Sequence, residues 1–136
     1  MVLIDTNIIL DLLLERPAFF AQARQISDLI EAGNCRAQIC ATTVTTIDYL
    51  ARKQLGSKAS KTVIAGLLDL YDIAPVTRAT LQMALSSDMP DFEDAVLAYA
   101  AHQAGASAII TRNLRDFSKS PVRAYTPTQF LALDTL

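Results

Sequence analysis

The sequence predicts a single α/β domain in which helices flank a central parallel sheet of about five strands. Short apolar runs alternate with longer segments whose apolar residues recur at helical spacing, which is typical of a parallel sheet covered on both faces. At 136 residues, 51% of them hydrophobic, the chain is long enough to bury one core. No repeat, low-complexity stretch or linker divides it, so we expect residues 1–136 to form one domain.

The first third of the chain predicts a strand, two helices and a second strand. The apolar run Val2–Ile4 ends at Asp5, and a helix over residues 8–14 follows. Pro17 separates this helix from a second one over residues 18–32, which the glycine at position 33 ends. Residues 36–40 predict the second strand.

The segment from residue 42 to residue 56 favours a strand locally and a helix over its whole length. Its first six residues read TTVTTI, and such β-branched runs are common in strands. Val44, Ile47, Leu50 and Ala51 nevertheless form a helical stripe that continues to Gly56, and Thr42 or Thr43 can cap it. We therefore predict a helix.

The rest of the chain continues the alternation of helices and strands. A helix over residues 60–70 precedes a strand near 73–76 and a helix over 77–86. A long helix opens at Asp91, runs to Gln103 and ends before Gly105. After it come a strand at Ala108–Ile110, an edge strand over 122–125 and a terminal helix that begins at Thr126 and Pro127.

Charge and hydropathy exclude a membrane span and a signal peptide. No apolar run reaches the roughly 18 residues needed to cross a bilayer. The apolar N-terminus has no basic region and carries Asp5, Asp11 and Glu15. We therefore expect a cytoplasmic protein.

The cysteines and the single histidine are not expected to take part in chemistry. Cys35 and Cys40 would lie on opposite faces of a strand, about 16 Å apart, so we expect two reduced thiols. His102 follows Asp94 by eight residues, about 12 Å along the same helix, and is too distant to share a metal with it.

Two clusters of basic residues could contact a phosphate backbone despite the net charge of −2. Arg52 and Lys53 belong to the first, which extends to Lys58 and Lys61. Arg112 and Arg115 belong to the second, which continues to Lys119 and Arg123 with only Asp116 as an acid. Taken alone, each cluster favours an ordinary solvated helix face.

Acidic residues follow the predicted strands and open the long late helix. Asp5 ends the first strand, Asp91, Glu93 and Asp94 open that helix, and Asn113 and Asp116 follow the strand at Ala108–Ile110. Ligands of such sheets bind beyond the carboxyl ends of the strands, so we expect these groups to meet there. Apposed carboxylates repel one another unless a cation neutralises them, and oxygen ligands suit Mg²⁺ or Mn²⁺.

Each acid also has an ordinary structural explanation. Asp5 could cap the helix after it. Asp91 could cap the late helix, with Asp94 three positions on in a capping-box-like pair. Asp116 could lie in a solvated turn.

Three stretches together resemble the PIN-domain family, the nucleases typical of VapC-type toxins. The first is residues 3–7, LIDTN; the second is residues 91–100, DFEDAVLAYA; the third is residues 109–117, IITRNLRDF. In order and spacing they cover essentially the whole chain. The resemblance implies a five-stranded parallel sheet, Mg²⁺-dependent endoribonuclease activity, and often a homodimer that a cognate antitoxin silences.

The resemblance also assigns residues, and the chain departs from the family pattern at two positions. Asp5 matches the first metal-binding aspartate, and Asp94 the one in the late helix. Thr46 stands where the family usually has a glutamate, and Asp48 is about 200° away around the helix. Asn113 stands where the family has an aspartate, with Asp116 three positions on.

The resulting hypothesis is hydrolysis of RNA at a Mg²⁺ site. Asp5 and Asp94 would hold the metal, with Asp116 or Asp91 as the third acid and Glu93 adding charge. The side chains expected to orient waters and ligands are Asn7, Thr46, Thr111 and Asn113.

Two other functions fit the same residues. One is a PIN-fold module that binds RNA or protein with little or no catalysis, which Thr46 and Asn113 favour. The other is a phosphohydrolase with Asp5 as a covalent nucleophile, in which Asn7 occupies the place of the second aspartate that such enzymes use.

Overall fold

Five parallel strands form one sheet at the centre of the computed structural model, which describes residues 1–133. The strands are β1 (Val2–Ile4), β2 (Ala37–Cys40), β3 (Asp72–Ala74), β4 (Ala108–Ile110) and β5 (Ala124–Tyr125). Their order across the sheet is β3-β2-β1-β4-β5, and Leu3 of β1 is in register with Gln38 of β2 and Ile109 of β4. The parallel sheet predicted from the alternating pattern is confirmed.

Seven helices flank this sheet within residues 1–133. They are α1 (Thr6–Leu13), α2 (Phe20–Glu31), α3 (Ala41–Leu55), α4 (Ser57–Leu70), α5 (Arg78–Ser86), α6 (Phe92–Gln103) and α7 (Pro127–Leu133). A 3₁₀ helix, Leu114–Phe117, follows β4. None of these helices has the length and apolar character needed to cross a membrane.

The helix predicted over the β-branched segment is confirmed as α3. Thr43 and Ile47 are buried on one face of it. The hydroxyls of Thr45 and Thr46 donate to the carbonyl oxygen of Thr42, at 3.0 and 3.1 Å, so both are satisfied inside the helix. Tertiary burial here outweighs the local strand preference.

Several element boundaries differ from those predicted. Helix α4 begins at Ser57, three residues earlier than expected, because only Gly56 separates it from α3. Gly56 has φ +91° and ψ 164°, a backbone conformation that is essentially restricted to glycine. The edge strands β3 and β5 are shorter than predicted.

Two apolar cores lie on opposite faces of the sheet. Side chains alternate along a strand, so Ile4 and Ile110 face one core, and their neighbours Leu3 and Ile109 face the other. The first core contains apolar residues of α1, α2, α3 and α4, and the second is dominated by α6.

Helix α6 lies close to the sheet because much of its buried surface is alanine. Ala95, Ala98, Ala100 and Ala101 are buried, as is Leu97. The N-terminus of α6 carries the acids that the sequence singled out, so close packing of this helix fixes them relative to the strand ends.

Candidate active site

The carboxyl ends of β1 and β4 bring Asp5 and Thr111 together. Ile4 and Ile110 are in register, and the Asp5 backbone N–H donates to the Ile110 carbonyl oxygen at 2.9 Å. The next residues therefore sit side by side: the Thr111 hydroxyl donates to Oδ2 of Asp5 at 2.8 Å. Asp5 is 5% exposed and Thr111 is fully buried.

Asp5 occupies the N-cap position of α1, but its side chain makes no capping hydrogen bond. The carboxylate is held by Thr111 instead. The Thr111 hydroxyl oxygen also accepts from the Asn113 backbone N–H at 3.1 Å, so three residues form one short chain of hydrogen bonds. The capping explanation for Asp5 is therefore insufficient.

Asp91 and Asp94 begin α6, and Asp91 does cap it. Oδ2 of Asp91 accepts from the Asp94 backbone N–H at 2.9 Å, the N-cap bond that the sequence suggested. Asp91 and Glu93 are exposed, whereas Asp94 is half-buried.

The predicted acids act on Asp94 electrostatically. Burial and the negative charges of four neighbouring acids raise the pKa of Asp94 from 3.8 to about 7. In decreasing order of effect these neighbours are Asp5, Asp91, Asp116 and Glu93. Acids that follow β1, that open α6 and that lie in the 3₁₀ helix after β4 thus share one electronegative site.

Burial also raises the pKa of Asp5. The Thr111 hydroxyl, the Thr6 backbone and the charge of Arg112 oppose this rise, and Glu93 adds to it. Two carboxylates that both resist ionisation make the site favourable for a proton or a cation.

The donors available to a metal at this site are carboxylate, hydroxyl and amide oxygens, which fit a hard divalent cation. Within residues 1–133, no group of three or more His, Cys, Asp or Glu side chains is arranged so that it could hold a metal ion. If Asp5 and Asp94 hold an ion, water molecules must supply most of its other ligands, as Mg²⁺ tolerates.

Threonines of α1 and α3 extend the polar site beside Asp5. The hydroxyls of Thr6 and Thr43 are buried and 2.8 Å apart. Thr46 lies one turn after Thr43 on the same helix, half-buried, with its hydroxyl bound to the Thr42 carbonyl. Asn7, in the first turn of α1, is also half-buried.

The Asp48 carboxylate binds Ser60 and Arg52. One carboxylate oxygen accepts from the Ser60 hydroxyl of α4 at 2.8 Å, and the other lies 3.1 Å from Nε of Arg52. These contacts join α3 to α4, in agreement with the expectation that Asp48 does not substitute for Thr46.

The basic residues predicted to bind RNA differ in their surroundings. Arg52 lies eleven residues after the start of α3, about 16 Å from the strand ends. Beside it, Lys53 stacks on the exposed ring of Tyr49. Arg115 is exposed in the 3₁₀ helix next to the acids.

Arg112 is bound to the protein itself. Its Nε and Nη2 donate to the two carboxylate oxygens of Asp11, at 2.7 and 3.2 Å, and its guanidinium lies 3.9 Å from the centre of the Phe19 ring. Phosphate binding by Arg112 remains a prediction, but its charge is already paired.

His102 is exposed near the end of α6 and makes an edge contact with Tyr99. Cys35 and Cys40 do not form a disulfide. His102 lies on α6 as predicted, Cys40 ends β2, and Cys35 precedes that strand.

The sequence did not single out Thr6, Thr43 and Asp11 as site residues. Asp11 offered one signal: it lies three positions after Ile8, on the apolar face of α1, and a carboxylate there requires a partner. The identity of that partner, 101 residues away, could not be read from spacing.

Comparison with known proteins agrees with this architecture. The family model described as PIN domain matches residues 1–115. No curated protein sequence matches the chain.

Several solved structures share the fold at low sequence identity. FitAcB from Neisseria gonorrhoeae has a TM-score of 0.72 at 22% identity, over 94% of this chain and 99% of that one. A toxin–antitoxin complex from Klebsiella pneumoniae has a TM-score of 0.70 at 21% identity, over 93% and 98%. VapC20 from Mycobacterium tuberculosis has a TM-score of 0.63 at 16% identity, over 80% and 87%. With residues 1–115 matched by the family model and the fold shared, the chain belongs to the PIN domain family.

Proposed function

We propose that the chain is a Mg²⁺-dependent endoribonuclease, the toxin of a toxin–antitoxin pair, acting in the cytoplasm. The observation that carries this proposal is the convergence of acids from distant parts of the chain: Asp5, held by Thr111 at the end of β1, lies near enough to Asp94 at the start of α6 to help raise its pKa. A site that disfavours its own negative charge favours a divalent cation, and PIN domains are generally metal-dependent nucleases.

In this proposal Asp5 and Asp94 hold Mg²⁺, or Mn²⁺ in its place, with Asp116 or Asp91 as the third acid. A bound ion would lower the pKa of a water molecule and neutralise charge on the scissile phosphodiester. The protein's own contribution is orientation: Thr111 fixes the Asp5 carboxylate through a 2.8 Å bond. Asn113 then fixes Thr111 through its backbone N–H.

Other polar residues complete the proposed site. Glu93 adds negative charge near Asp94, and Asn7 and Thr46 orient waters from α1 and α3. Arg115 contacts the RNA backbone close to the cut, whereas Arg52 and Lys53, about 16 Å along α3, contact a more distant part. The substrate is single-stranded or looped RNA, whose bases are accessible.

The partners follow from the structural relatives. One is a toxin–antitoxin complex from Klebsiella pneumoniae, and VapC20 is described as a toxin that cleaves the sarcin–ricin loop. We therefore propose a cognate antitoxin as the protein partner. A homodimer is also proposed: Leu81, Leu85 and Phe92 expose apolar surface on α5 and at the start of α6.

The test is cleavage of a panel of structured RNAs with Mg²⁺, with Mn²⁺ and with EDTA. Asp5→Asn and Asp94→Asn should each abolish metal-dependent cleavage and leave the circular dichroism spectrum unchanged. Asp69→Asn removes the same charge from the exposed face of α4 and should cleave normally. Undiminished cleavage by both site variants would refute the proposal.

A module that binds RNA or protein without cleaving is the second candidate. It is favoured by the absence, within residues 1–133, of any group of three or more His, Cys, Asp or Glu side chains that could hold a metal ion. A module of this kind would retain RNA equally well with and without EDTA, and it would yield no cleavage products. Release of orthophosphate from phosphate monoesters would instead favour a phosphohydrolase using Asp5.

A further inference from the structure

A buried ion pair joins α1 to the segment after β4. Asp11 is fully buried, and a buried carboxylate is strongly destabilising without partners. Arg112 supplies a two-point interaction, with N–O distances of 2.7 and 3.2 Å, and Arg16 adds a longer contact of 3.3 Å. Paired bonds of this kind between guanidinium and carboxylate fix both distance and orientation.

A third element holds Arg112 from the side. The Phe19 ring, just before α2, stacks on the guanidinium at 3.9 Å, and the Arg112 side chain is only 22% exposed. The side chain is therefore fixed by both α1 and the residue that precedes α2.

The residue before Arg112 is Thr111, which holds Asp5. Two links thus join the same two segments: Thr111 binds Asp5 at the start of α1, and Arg112 binds Asp11 six residues further along. The second link lies about 9 Å along the helix from the first. Two separated links prevent the 111–113 segment from rotating about a single bond.

We propose that Asp11 and Arg112 are positioning residues, which fix the backbone at residues 111–113 and so hold Thr111 against Asp5. The proposal rests on the function proposed above, and it gives Arg112 a role other than contact with RNA. The pairing of its charge with Asp11 favours positioning over phosphate binding.

Kinetics separate these two roles. If the pair positions the site, Asp11→Asn and Arg112→Lys each lower kcat by about 10- to 100-fold and leave KM for RNA within about threefold. The double variant Asp11→Asn/Arg112→Lys loses little more than either single variant. If Arg112 binds phosphate, Arg112→Lys changes KM and its salt dependence, whereas Asp11→Asn does not weaken RNA binding.

Amide hydrogen exchange tests the same proposal without activity. The Asn113 N–H, bound to the Thr111 hydroxyl, should exchange at least about tenfold faster in Asp11→Asn than in the parent protein. Amides of α3 in the same spectrum report any loss of global stability. The control is Asp72→Asn, which breaks another Asp–Arg pair, with Arg36, at the opposite edge of the sheet and should leave the Asn113 amide unchanged.

The two experiments fail in distinguishable ways. If the parent protein cleaves no RNA, the proposed function fails, and amide exchange still decides whether the pair fixes residue 113. If Asn113 exchanges at the parental rate in Asp11→Asn, or the variants change only KM, the positioning role is refuted.

Discussion

Replacing Asp94 by Asn is expected to abolish cleavage and, in the absence of metal, to stabilise the fold. The carboxylate is half-buried among four other acids, which raises its pKa to about 7. Asn has nearly the same shape, and its backbone N–H still donates to Asp91. The substitution therefore removes the unfavourable charge and leaves the helix cap in place.

The size of the effect follows from the pKa. A rise from 3.8 to about 7 corresponds to at most about 4 kcal/mol of unfavourable ionisation in the folded state. Solvent screens part of this energy because Asp94 is incompletely buried. We therefore expect Asp94→Asn to raise the free energy of unfolding by ~1–2 kcal/mol. For a chain of this size that gain raises Tm by roughly 3–8 °C.

The stabilisation that Asp94→Asn provides increases as pH rises. Well below pH 4 Asp94 is protonated in both the folded and the unfolded protein, so the substitution changes little. Between pH 4 and 7 the unfolded chain loses the proton and the folded protein keeps it, so the stability of the parent protein falls as pH rises. Above pH 7 the full difference between Asp94→Asn and the parent is present.

Urea unfolding in EDTA at pH 5, 6, 7 and 8 measures this difference, with Asp69→Asn as the charge-matched control. We expect the difference in free energy of unfolding to grow from pH 5 to pH 8 for Asp94→Asn and to stay constant for Asp69→Asn. Saturating Mg²⁺ should stabilise the parent protein but not Asp94→Asn, and so reduce the difference between their free energies of unfolding. A difference that does not change with pH, or a destabilised Asp94→Asn at pH 8, would refute the reasoning.

Three further predictions test the site and the fold. Mg²⁺ affinity, measured by titration calorimetry, should fall by about tenfold per pH unit below pH 7, since Asp94 must lose its proton to bind metal; a constant affinity would contradict this. Leu97→Ala should lower the free energy of unfolding in urea by about 2–5 kcal/mol, because Leu97 is 2% exposed; a loss under 1 kcal/mol would mean that the core closes around the gap. Gly56→Ala should cost about 1–3 kcal/mol in the same assay through backbone strain at φ +91°, although a Cβ there meets no atom within 4 Å; an unchanged midpoint would show that the turn between α3 and α4 relaxes.

The sheet and the position of its acids were predictable because both depend on local pattern. The apolar run ending at Asp5 and the one ending at Ile110 identify two buried strands, and parallel strands present their ends at the same edge. Helix α3 was predictable only by weighing its helical stripe against the β-branched residues. Boundaries at β3, β5 and Ser57 were not, because short edge strands and one-residue turns leave little periodic signal.

The partners of individual side chains could not be predicted. Asp5 at a strand end fits a cap as well as a ligand, and only the bond from Thr111 distinguishes them. Arg112, in a cluster of basic residues, resembles a phosphate contact until Asp11 is found beside it. Both distinctions depend on contacts between residues more than 100 positions apart, which one sequence does not encode in any periodicity.

The pairing of the first strand with the fourth has a consequence during translation. Asp5 is synthesised more than 100 residues before Thr111, the residue whose hydroxyl holds its carboxylate. A nascent chain that lacks β4 cannot assemble the acidic site, however well its first strands have folded. Under the proposed function, cleavage of RNA therefore begins only after β4 has been synthesised and has paired with β1.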